Sequence, residues 1–523
     1  MECGDRADSA TRTGRRRSRA ACACIALLLT IGVFSRAPVH AIELRLPDGG
    51  LSLTGGVTAW DVFRLDPDTP SERPSGVLDL RFDASRTDRF RLVAAIRGGF
   101  DGKIGDPHRG NPVLALDEVY QSKDVFLSID EAYLELYPFL NVEVRIGKQK
   151  VSWGQLDDVQ PTDHVNPEDL TEFYFRPELE RKIGVPGIRV LGYRGSSTID
   201  FVWNPIFTAY RFPARDDRWF PPLLTVADTL ETPLGTIPVR TRYPDVDEPP
   251  HTLASSDVAL RLRQFHEGID MSLSVFHGWD KSPSFAASGT ATVTPTGDPS
   301  APVATAADVA VRPSLHRITV VGADLAVPFL WFALRAEAAW IHGRAFPLLL
   351  QNVARDPRLL GVVGAAAERV AQSGREETVD LPIAPIELER DALQYGIGFD
   401  WVVTEQVSRR LIGGESLAGT FVLVQLIENV IFDHDADFIS QQVEHLLGST
   451  IRQTFLDERL SLQLKAAYTP NHGDFFLWPE LGYKLTSNLI GILEGRILGG
   501  SRTQPIGQYR DYDGIRVGLR WAF

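Results

Sequence analysis

Charged side chains gather in one proline-rich stretch, where acids come first and bases follow. Trp153 and Gly154 open it, and its charged side chains and histidine include Asp157, Asp158, Asp163, His164, Glu168, Asp169, Arg176, Arg181 and Lys182. Opposed charges across a narrow water path set ion selectivity in channels. The prolines at 161, 167, 177 and 186 restrict the backbone, so the stretch could fold into an enclosed space and narrow it. The alternative is an ordinary solvated surface loop.

Catalytic motifs are poor elsewhere in the chain. Residues 414–418 read Gly-Glu-Ser-Leu-Ala and miss the nucleophile elbow, because Ala418 replaces its second glycine. A serine hydrolase would also need a histidine and an acid beside Ser416, which the strand scheme below does not supply. The chain has no phosphate-binding glycine loop and no His-Glu-x-x-His pair. We therefore predict that the protein is not an enzyme.

An acidic stretch at 433–444 resembles a calcium loop in part. Asp433, Asp435, Asp437 and Glu444 match positions 1, 3, 5 and 12, but Phe438 occupies position 6, where the turn needs glycine. The prediction is an acidic loop with no metal site and no cofactor, although the sequence leaves calcium binding open.

Alternating polarity indicates the elements that position these residues. In the last strand Ile515, Val517, Leu519, Trp521 and Phe523 share one face, and arginine or small residues occupy the other. We predict about eighteen such strands, at 51–63, 76–84, 89–99, 124–136, 142–152, 187–194, 197–204, 257–266, 268–277, 315–325, 329–341, 393–403, 418–428, 447–456, 459–468, 475–485, 488–498 and 513–523.

The connections mostly alternate between long and short, as in outer-membrane barrels, which pair short periplasmic turns with long extracellular loops. The predicted fold is therefore an all-β transmembrane antiparallel barrel of 16–18 strands over residues 42–523. The connection at 404–417 is too long for a short turn, so the count could be wrong by one hairpin. Short helices are expected at 359–371 and 438–447.

The first 41 residues read as a secretory signal peptide. Arginines at 15–17 and 19 precede an apolar run from Ala20 to Phe34, and Val39 and Ala41 have cleavage-site spacing. Cleavage there removes all three cysteines, which excludes thiolate chemistry. The net charge is −14 for the chain, and −18 without a leader of seven arginines and three acids. Nucleic-acid binding, which needs a basic face, is thereby disfavoured.

The predicted lumen faces carry more bases than acids. The pore-lining candidates on the wall are Arg145, Arg335, Lys465, Arg496, Arg516 and Arg520, in addition to Trp153, Asp157 and His164 of the stretch above. If that stretch enters the lumen, Asp163, Glu168 and Asp169 should face Arg145, Arg335 or Arg520 across the water path. Such a wall could conduct anions. Alternatively, the charges pair across strands in a ladder without selectivity.

Two segments resemble known groups. The ending Trp521-Ala522-Phe523 is similar to the signal that barrel-assembly machinery recognises, with Phe523 as its terminal aromatic. Residues 146–170 resemble a porin-like proteobacterial family of unknown function, through Gly147-Lys148-Gln149, Trp153-Gly154, Pro161-Thr162-Asp163 and Asn166-Pro167-Glu168-Asp169-Leu170. More distantly, the glycine-lysine-glutamine element is similar to one in alginate-export barrels.

These features predict a Gram-negative outer-membrane, porin-like channel for passive diffusion of solutes. One alternative is a gated transporter of hydrophobic compounds or lipids, and another is a structural or enzymatic barrel without an open pore. The expected partners are outer-membrane lipids, the barrel-assembly machinery and a small-molecule solute, with a homo-oligomer left open and nucleic acid excluded.

Overall fold

A computed structural model describes residues 42–46, 48–64, 74–86, 89–101, 118–121, 125–211, 213, 219–222, 228–232, 235–242, 249–250, 252–281, 284–298, 302–348, 357–383, 387–436 and 438–523. The predicted signal peptide, residues 1–41, lies outside this part of the chain. Among the described residues, no helix has the length and apolar character needed to cross a membrane.

Eighteen long strands form a closed antiparallel barrel in chain order. With strands numbered β1 to β25 along the chain, the barrel strands are β2 (Gly49–Arg64), β3 (Ser75–Arg86), β4 (Phe90–Asp101), β6 (Val125–Phe139), β7 (Val142–Gln149), β8 (Val185–Arg194), β9 (Ser197–Asn204), β12 (Asp257–His266), β13 (Ile269–Trp279), β16 (Arg317–Pro328), β17 (Phe332–Pro347), β19 (Glu387–Val402), β20 (Phe421–Ile431), β21 (Val443–Phe455), β22 (Leu460–Thr469), β23 (Asp474–Lys484), β24 (Leu489–Gly499) and β25 (Gly514–Ala522). The predicted fold class is confirmed, with the upper of the two strand counts.

The first and last barrel strands pair and close the barrel. Trp60 of β2 is in register with Gly518 of β25. At the end of this seam, Gly55 donates to Phe523 at 3.0 Å and Phe523 donates back to Gly55 at 2.9 Å. Two short strands extend the sheet locally, β1 (Ile42–Leu46) beside β2 and β5 (Glu118–Gln121) beside β6.

The two faces of the wall differ as the alternation predicts. On β12, Leu260 and Leu262 point outward and are 40% and 48% exposed, whereas Arg261 between them is buried. An apolar outer surface with charged side chains inside is the arrangement of a membrane-spanning barrel.

The barrel has a short-turn end and a long-loop end. Both β2 and β25 have their free ends at the short-turn end, where Glu267 and Gly268 form a two-residue turn with positive φ at both positions. The long connection between β19 and β20 also lies there and contains helix α3 (Glu405–Ile412). That insertion, and not a missing hairpin, explains its length.

A second, smaller sheet stands at the long-loop end and was not predicted. It joins β10 (Thr229–Thr232), β11 (Gly235–Arg242), β14 (Ser284–Pro295), β15 (Val303–Ser314) and β18 (Glu377–Leu381) from three different loops. Helix α2 (Pro357–Ser373) packs Val363 against this sheet, and the helix predicted at 359–371 is confirmed. The helix predicted at 438–447 is wrong, because its second half belongs to β21 and pairs with β20.

Three further helical pieces are short. Helix α1 (Glu178–Arg181) lies in the connection between β7 and β8, and single 3-10 turns occur at Leu253–Ser255 and Gly507–Tyr509.

Candidate constriction site in the barrel lumen

The connection between β7 and β8, residues 150–184, forms what we call the lumen loop. Its two ends are joined by the side chain of Asn166. The Asn166 carbonyl oxygen accepts from Val151 N–H at 2.8 Å, and its amide donates to the carbonyls of Gln149 (3.2 Å) and Ile183 (2.7 Å). The loop therefore leaves and re-enters the wall at one fixed point, and Asn166 is a site residue that the sequence analysis missed.

The Trp-Gly pair directs the chain into the lumen. Trp153 is 1% exposed, and its indole N–H donates to Asp200 of β9 at 3.0 Å. Gly154 has φ +93°, and an added Cβ would lie 2.7 Å from the carboxylate of Glu337. Both observations require glycine there. The motif therefore has a local structural role.

The tip of the loop is fixed to β17. The Glu337 carboxylate accepts the backbone N–H groups of Gln155 and, at 2.5 Å, Leu156, and it also accepts the Thr162 hydroxyl at 3.0 Å. Charge-assisted bonds of this kind are about twice as strong as neutral ones. The carboxylate thus holds both sides of the tip.

Leu156 packs on a glycine surface of β19. Added Cβ atoms at Gly396 and Gly398 would lie 2.6 Å and 3.0 Å from its δ carbons. The absence of side chains at these two inward positions makes room for the loop tip.

Beyond the tip, the loop reaches the opposite wall. Lys465 of β22 donates to the Asp158 carboxylate at 2.9 Å, and the Asp157 backbone N–H donates to the Gln425 side chain of β20 at 3.2 Å. Burial raises the pKa of the Asp157 carboxyl. From Asp200 to Lys465, the loop is thus fixed on both sides of the lumen.

Asp163, Glu168 and Asp169, the three acids expected to face the wall, do not face wall cations, and that expected opposition across water is wrong. Asp163 pairs with Lys182 at 2.5 Å, and both are buried. Glu168 lies 3.6 Å from Arg181, and Asp169 pairs with Arg176 and Arg211 at 2.9 Å each. The pairs form within the loop and with the next long connection, because its own bases are closer than the wall.

Burial and pairing act in opposite directions on these acids. Burial raises the pKa of the Glu168 carboxyl, and Arg181 opposes this only in part. Burial would also raise the pKa of Asp169, but the guanidinium groups of Arg176 and Arg211 outweigh it and hold that pKa far below its usual range. Asp169 is therefore a permanent charge that is fully neutralised by its neighbours.

His164 is enclosed and not pore-lining. Its Nε2 lies 2.9 Å from the Pro161 carbonyl, and its ring is 6.1 Å from that of Phe276. Burial, reinforced by the nearby charge of Arg344, lowers its pKa from the ordinary 6.5 to about 4. The ring is neutral at pH 7.

An aromatic cluster holds the rest of the loop against the wall. Phe175 and Trp219 are each 1% exposed, and Phe173 stacks on Trp219 with centroids 5.8 Å apart. The cluster is completed by Phe476, Trp478, Tyr509 and Tyr512. Beside it Arg496 of β24 donates to Glu172 of the loop at 3.1 Å. These rings fill space between loop and wall.

The remaining wall candidates are mostly paired. Arg145 contacts Glu135 and Glu143, and Arg335 contacts Asp400 at 2.8 Å. Glu494 binds both Arg496 (2.8 Å) and Arg516 (3.2 Å). Cross-strand pairs of opposite charge are the ladder expected as the alternative to an open basic wall.

One sector of the wall keeps charges open to water. The loop contacts named above lie on strands β9 to β24, with further ion pairs to β4 and β6. Outside this arc, Asp79 and Arg81 on β3 pair with Arg97 (2.8 Å) and Glu131 (3.0 Å), yet their side chains are 44% and 41% exposed. Arg520 on β25 is exposed. We call β25, β2 and β3 the open sector.

Two anchoring residues of the wall were missed because their partners are remote in sequence. Glu337 and Gln425 bind loop atoms, and the contact between Gln425 and Asp157 spans 268 positions. The alternation of β17 identifies Glu337 as an inward-facing acid. It does not identify the loop residues that donate hydrogen bonds to Glu337.

No metal site is apparent in the described part of the chain, where no three His, Cys, Asp or Glu side chains converge. In the acidic stretch at 433–444, Glu444 accepts a hydrogen bond from His472 at 2.9 Å. Asp437 lies outside the described residues. Ser416 is exposed at the short-turn end, near α3.

No protein-family model matches the chain, and no curated protein is similar to it in sequence. Solved structures with overall similarity are porins. OccAB1 of Acinetobacter baumannii is 8% identical, with 91% of this chain and 95% of that chain covered and a TM-score of 0.42. OccK11 (OpdR) of Pseudomonas aeruginosa is 8% identical, with 90% and 96% covered and a TM-score of 0.44. OpdK of Pseudomonas aeruginosa, solved with vanillate, is 10% identical, with 90% and 98% covered and a TM-score of 0.43. At these sequence identities and TM-scores, the similarity does not indicate which solutes would pass through this barrel.

Proposed function

We propose that the protein is a porin-like channel of the Gram-negative outer membrane, with the long-loop end outside and the short-turn end in the periplasm. The observation that carries this proposal is a closed barrel of eighteen strands whose outer face is apolar and whose lumen holds a fixed loop. Barrels of 16–18 strands enclose a water channel unless loops plug them. The lumen loop narrows this channel on one side.

The water path is proposed to follow the open sector. There the wall presents water-exposed side chains of Asp79, Arg81 and Arg520, of which the first two are paired with Arg97 and Glu131. Acids and bases alternate along the path, which favours small hydrophilic solutes with weak charge selectivity. This is the passive route expected from the sequence.

A gated transporter of apolar compounds is the second candidate. The aromatic cluster of Phe173, Phe175 and Trp219 suggests it, since aromatic rings bind apolar ligands. These rings pack on one another and on the wall, however, and Phe175 and Trp219 are almost fully buried. The cluster supports a fixed loop better than an apolar tunnel. In the part of the chain that the structure describes, no arrangement of groups supports an enzymatic barrel.

Planar-bilayer conductance of the purified barrel tests the proposal. We expect discrete channels, a higher single-channel conductance after removal of the loop tip 155–162, and a reversal potential shifted toward cations in Arg520→Gln. The matched control is Arg409→Gln, an exposed arginine at the short-turn end outside the lumen. A folded barrel that conducts neither with nor without the tip would exclude a diffusion channel and favour the gated transporter.

Membership of the porin-like family of unknown function is part of this proposal. The segment that carries the resemblance supplies the loop anchors Trp153, Gly154, Asn166 and Asp169. Outer-membrane lipids and the barrel-assembly machinery are the proposed partners in biogenesis.

A further inference from the structure

The connection between β19 and β20 bends outward at the short-turn end. The side-chain amide of Gln453 donates to the carbonyl of Ser416 at 2.5 Å. On β21 Gln453 shares a face with Ile451, which is 42% exposed on the outside of the barrel. The α3 connection therefore lies against the outer surface of the wall and does not cover the lumen.

The helix is rigidly built. Thr404 caps its N-terminus by accepting from Val407 N–H, and Gly413 ends it with φ +73°. The buried Ser408 hydroxyl donates to the Gly414 carbonyl at 2.6 Å and accepts from Leu417 N–H at 3.1 Å. A fold this well fixed holds its exposed side chains in a defined direction.

Two of the exposed side chains of α3 are apolar. On α3 Leu411 and Ile412 are 63% and 52% exposed, and on the adjacent turn between β16 and β17 Leu330 and Trp331 are 100% and 58% exposed. The turn lies beside the end of β19, the strand from which α3 follows, because the rings of Trp331 and Trp401 lie 6.3 Å apart. Leu411, Ile412, Leu330 and Trp331 therefore lie at the same end of the barrel, and we call these four residues the rim patch.

The rim patch continues the apolar outer face of the barrel. Phe399 and Val424, on the strands that flank α3, are exposed and outward. Charges border the patch on α3 itself. Arg409 binds Glu405 and Glu415. Arg410 is exposed, and among the described residues it forms no ion pair. Exposed leucine, isoleucine and tryptophan side chains beside arginine are the composition of a lipid interface.

We propose that the rim patch is a phospholipid-binding surface that anchors the barrel in the inner leaflet. Leu411, Ile412, Leu330 and Trp331 enter the glycerol and upper acyl region, and the Arg410 guanidinium binds a lipid phosphate. The connection between β19 and β20 contains two arginines and two glutamates, so its net charge is zero. A zwitterionic headgroup therefore fits it. The inference rests on the proposed membrane orientation but not on conduction.

Spin labelling tests the depth of α3. Without the leader cysteines the secreted chain has none, so a single nitroxide at Leu411→Cys reports one position. In nanodiscs of phosphatidylethanolamine with phosphatidylglycerol, we expect collisions with oxygen to exceed those with a water-soluble nickel chelate. The label should lie about 5–10 Å below the headgroup boundary. The control Asp457→Cys, on another short turn, should be more accessible to the nickel chelate.

A second variant separates anchoring from folding. Leu411→Asn with Ile412→Asn should leave the barrel folded and conducting, since neither side chain is part of the wall, but should lower retention of bound phospholipid in native mass spectrometry. Arg410→Gln should lower it less. Water-like accessibility at Leu411, or unchanged lipid retention in the double variant, would overturn the inference and point to a periplasmic protein as occupant. If the wild-type barrel showed no conductance, that result would contradict the proposed function but not the lipid-binding inference.

Discussion

The carboxylate of Glu337 lies 3.0 Å from the hydroxyl of Thr162, and this contact joins a wall strand to the returning side of the loop tip. The same carboxylate accepts the backbone N–H groups of Gln155 and Leu156 on the outgoing side. One side chain of the wall therefore determines how far the tip extends into the lumen.

Glu337→Gln should loosen the loop tip without unfolding the barrel. The amide replaces one acceptor oxygen by a donor that faces N–H and O–H groups, and a buried unsatisfied group costs about 1–3 kcal/mol. We expect a higher mean conductance and larger current fluctuations in single-channel records. Glu458→Gln, on an exposed turn, is the control, and equal traces for the two variants would argue against the role of Glu337.

Gly154→Ala should have a related effect by a steric route. The added Cβ would lie 2.7 Å from a Glu337 oxygen, and φ +93° is strained for alanine. We expect displacement of the tip, detected as faster amide hydrogen exchange in 155–162. Gly192→Ala is the matched control, because its Cβ would meet nothing within 4 Å. Unchanged exchange in Gly154→Ala would refute the steric argument.

Most of the barrel strands were predictable, because a wall between lipid and water imposes alternation, and the predicted count was 16–18. At Leu260, Arg261 and Leu262 the exposed and buried classes follow the alternation residue by residue. The small sheet at the long-loop end escaped prediction for the same reason. Its strands, such as Ser284–Pro295, are rich in alanine and threonine and have no lipid-facing side to mark them.

The candidate site was predictable in location but not in contacts. The acids and bases of the lumen loop were recognised, yet Asp163 pairs with Lys182 and not with the wall. Such choices depend on the register of strands far apart in sequence, as the contact between Asp158 and Lys465 illustrates. Local sequence carries no record of that register.

Acidification should weaken docking of the lumen loop through His164. Burial lowers the pKa of its imidazole from 6.5 to about 4, so the docked loop holds the ring neutral. Between these values a released loop binds a proton that the docked loop does not, and docking therefore weakens as the pH falls below 6.5. Protection factors against amide hydrogen exchange in 155–170, which correct for the intrinsic pH dependence of exchange, should fall from pH 6.5 to 5. His164→Gln should lose this fall, because the raised pKa values of Asp157 and Glu168 act in the opposite direction. A wild-type protein whose protection factors do not fall would contradict the assignment.

Deletion of Phe523 should lower the amount of folded barrel in the membrane. The residue exchanges two backbone hydrogen bonds with Gly55 at the seam, and its ring lies 5.1 Å from that of Trp521. Heat-modifiable migration of membrane fractions measures the folded share. Phe523→Tyr keeps the hydrogen bonds and the ring and should fold normally, whereas normal folding of the deletion variant would exclude a role in closure.

The proposed orientation predicts a labelling pattern on intact cells. A cysteine at Ser373, at the end of α2, should react with an impermeant maleimide, and one at Asp457, on a short turn, should react only after the outer membrane is opened. Both residues are exposed on the protein surface, so the reaction depends on which side of the outer membrane the maleimide can reach. The reverse pattern would place the short turns outside.

The pairing of β2 with β25 also constrains the order of biogenesis. The barrel cannot close until its last residues are present, because the partner of its first strand lies more than 400 positions away. The lumen loop is attached to both halves of that cylinder, at Asp200 and at Lys465. The width of the channel beside the lumen loop is therefore fixed only after the last hairpin has been added. A channel of the correct width is then present only in the completely assembled barrel.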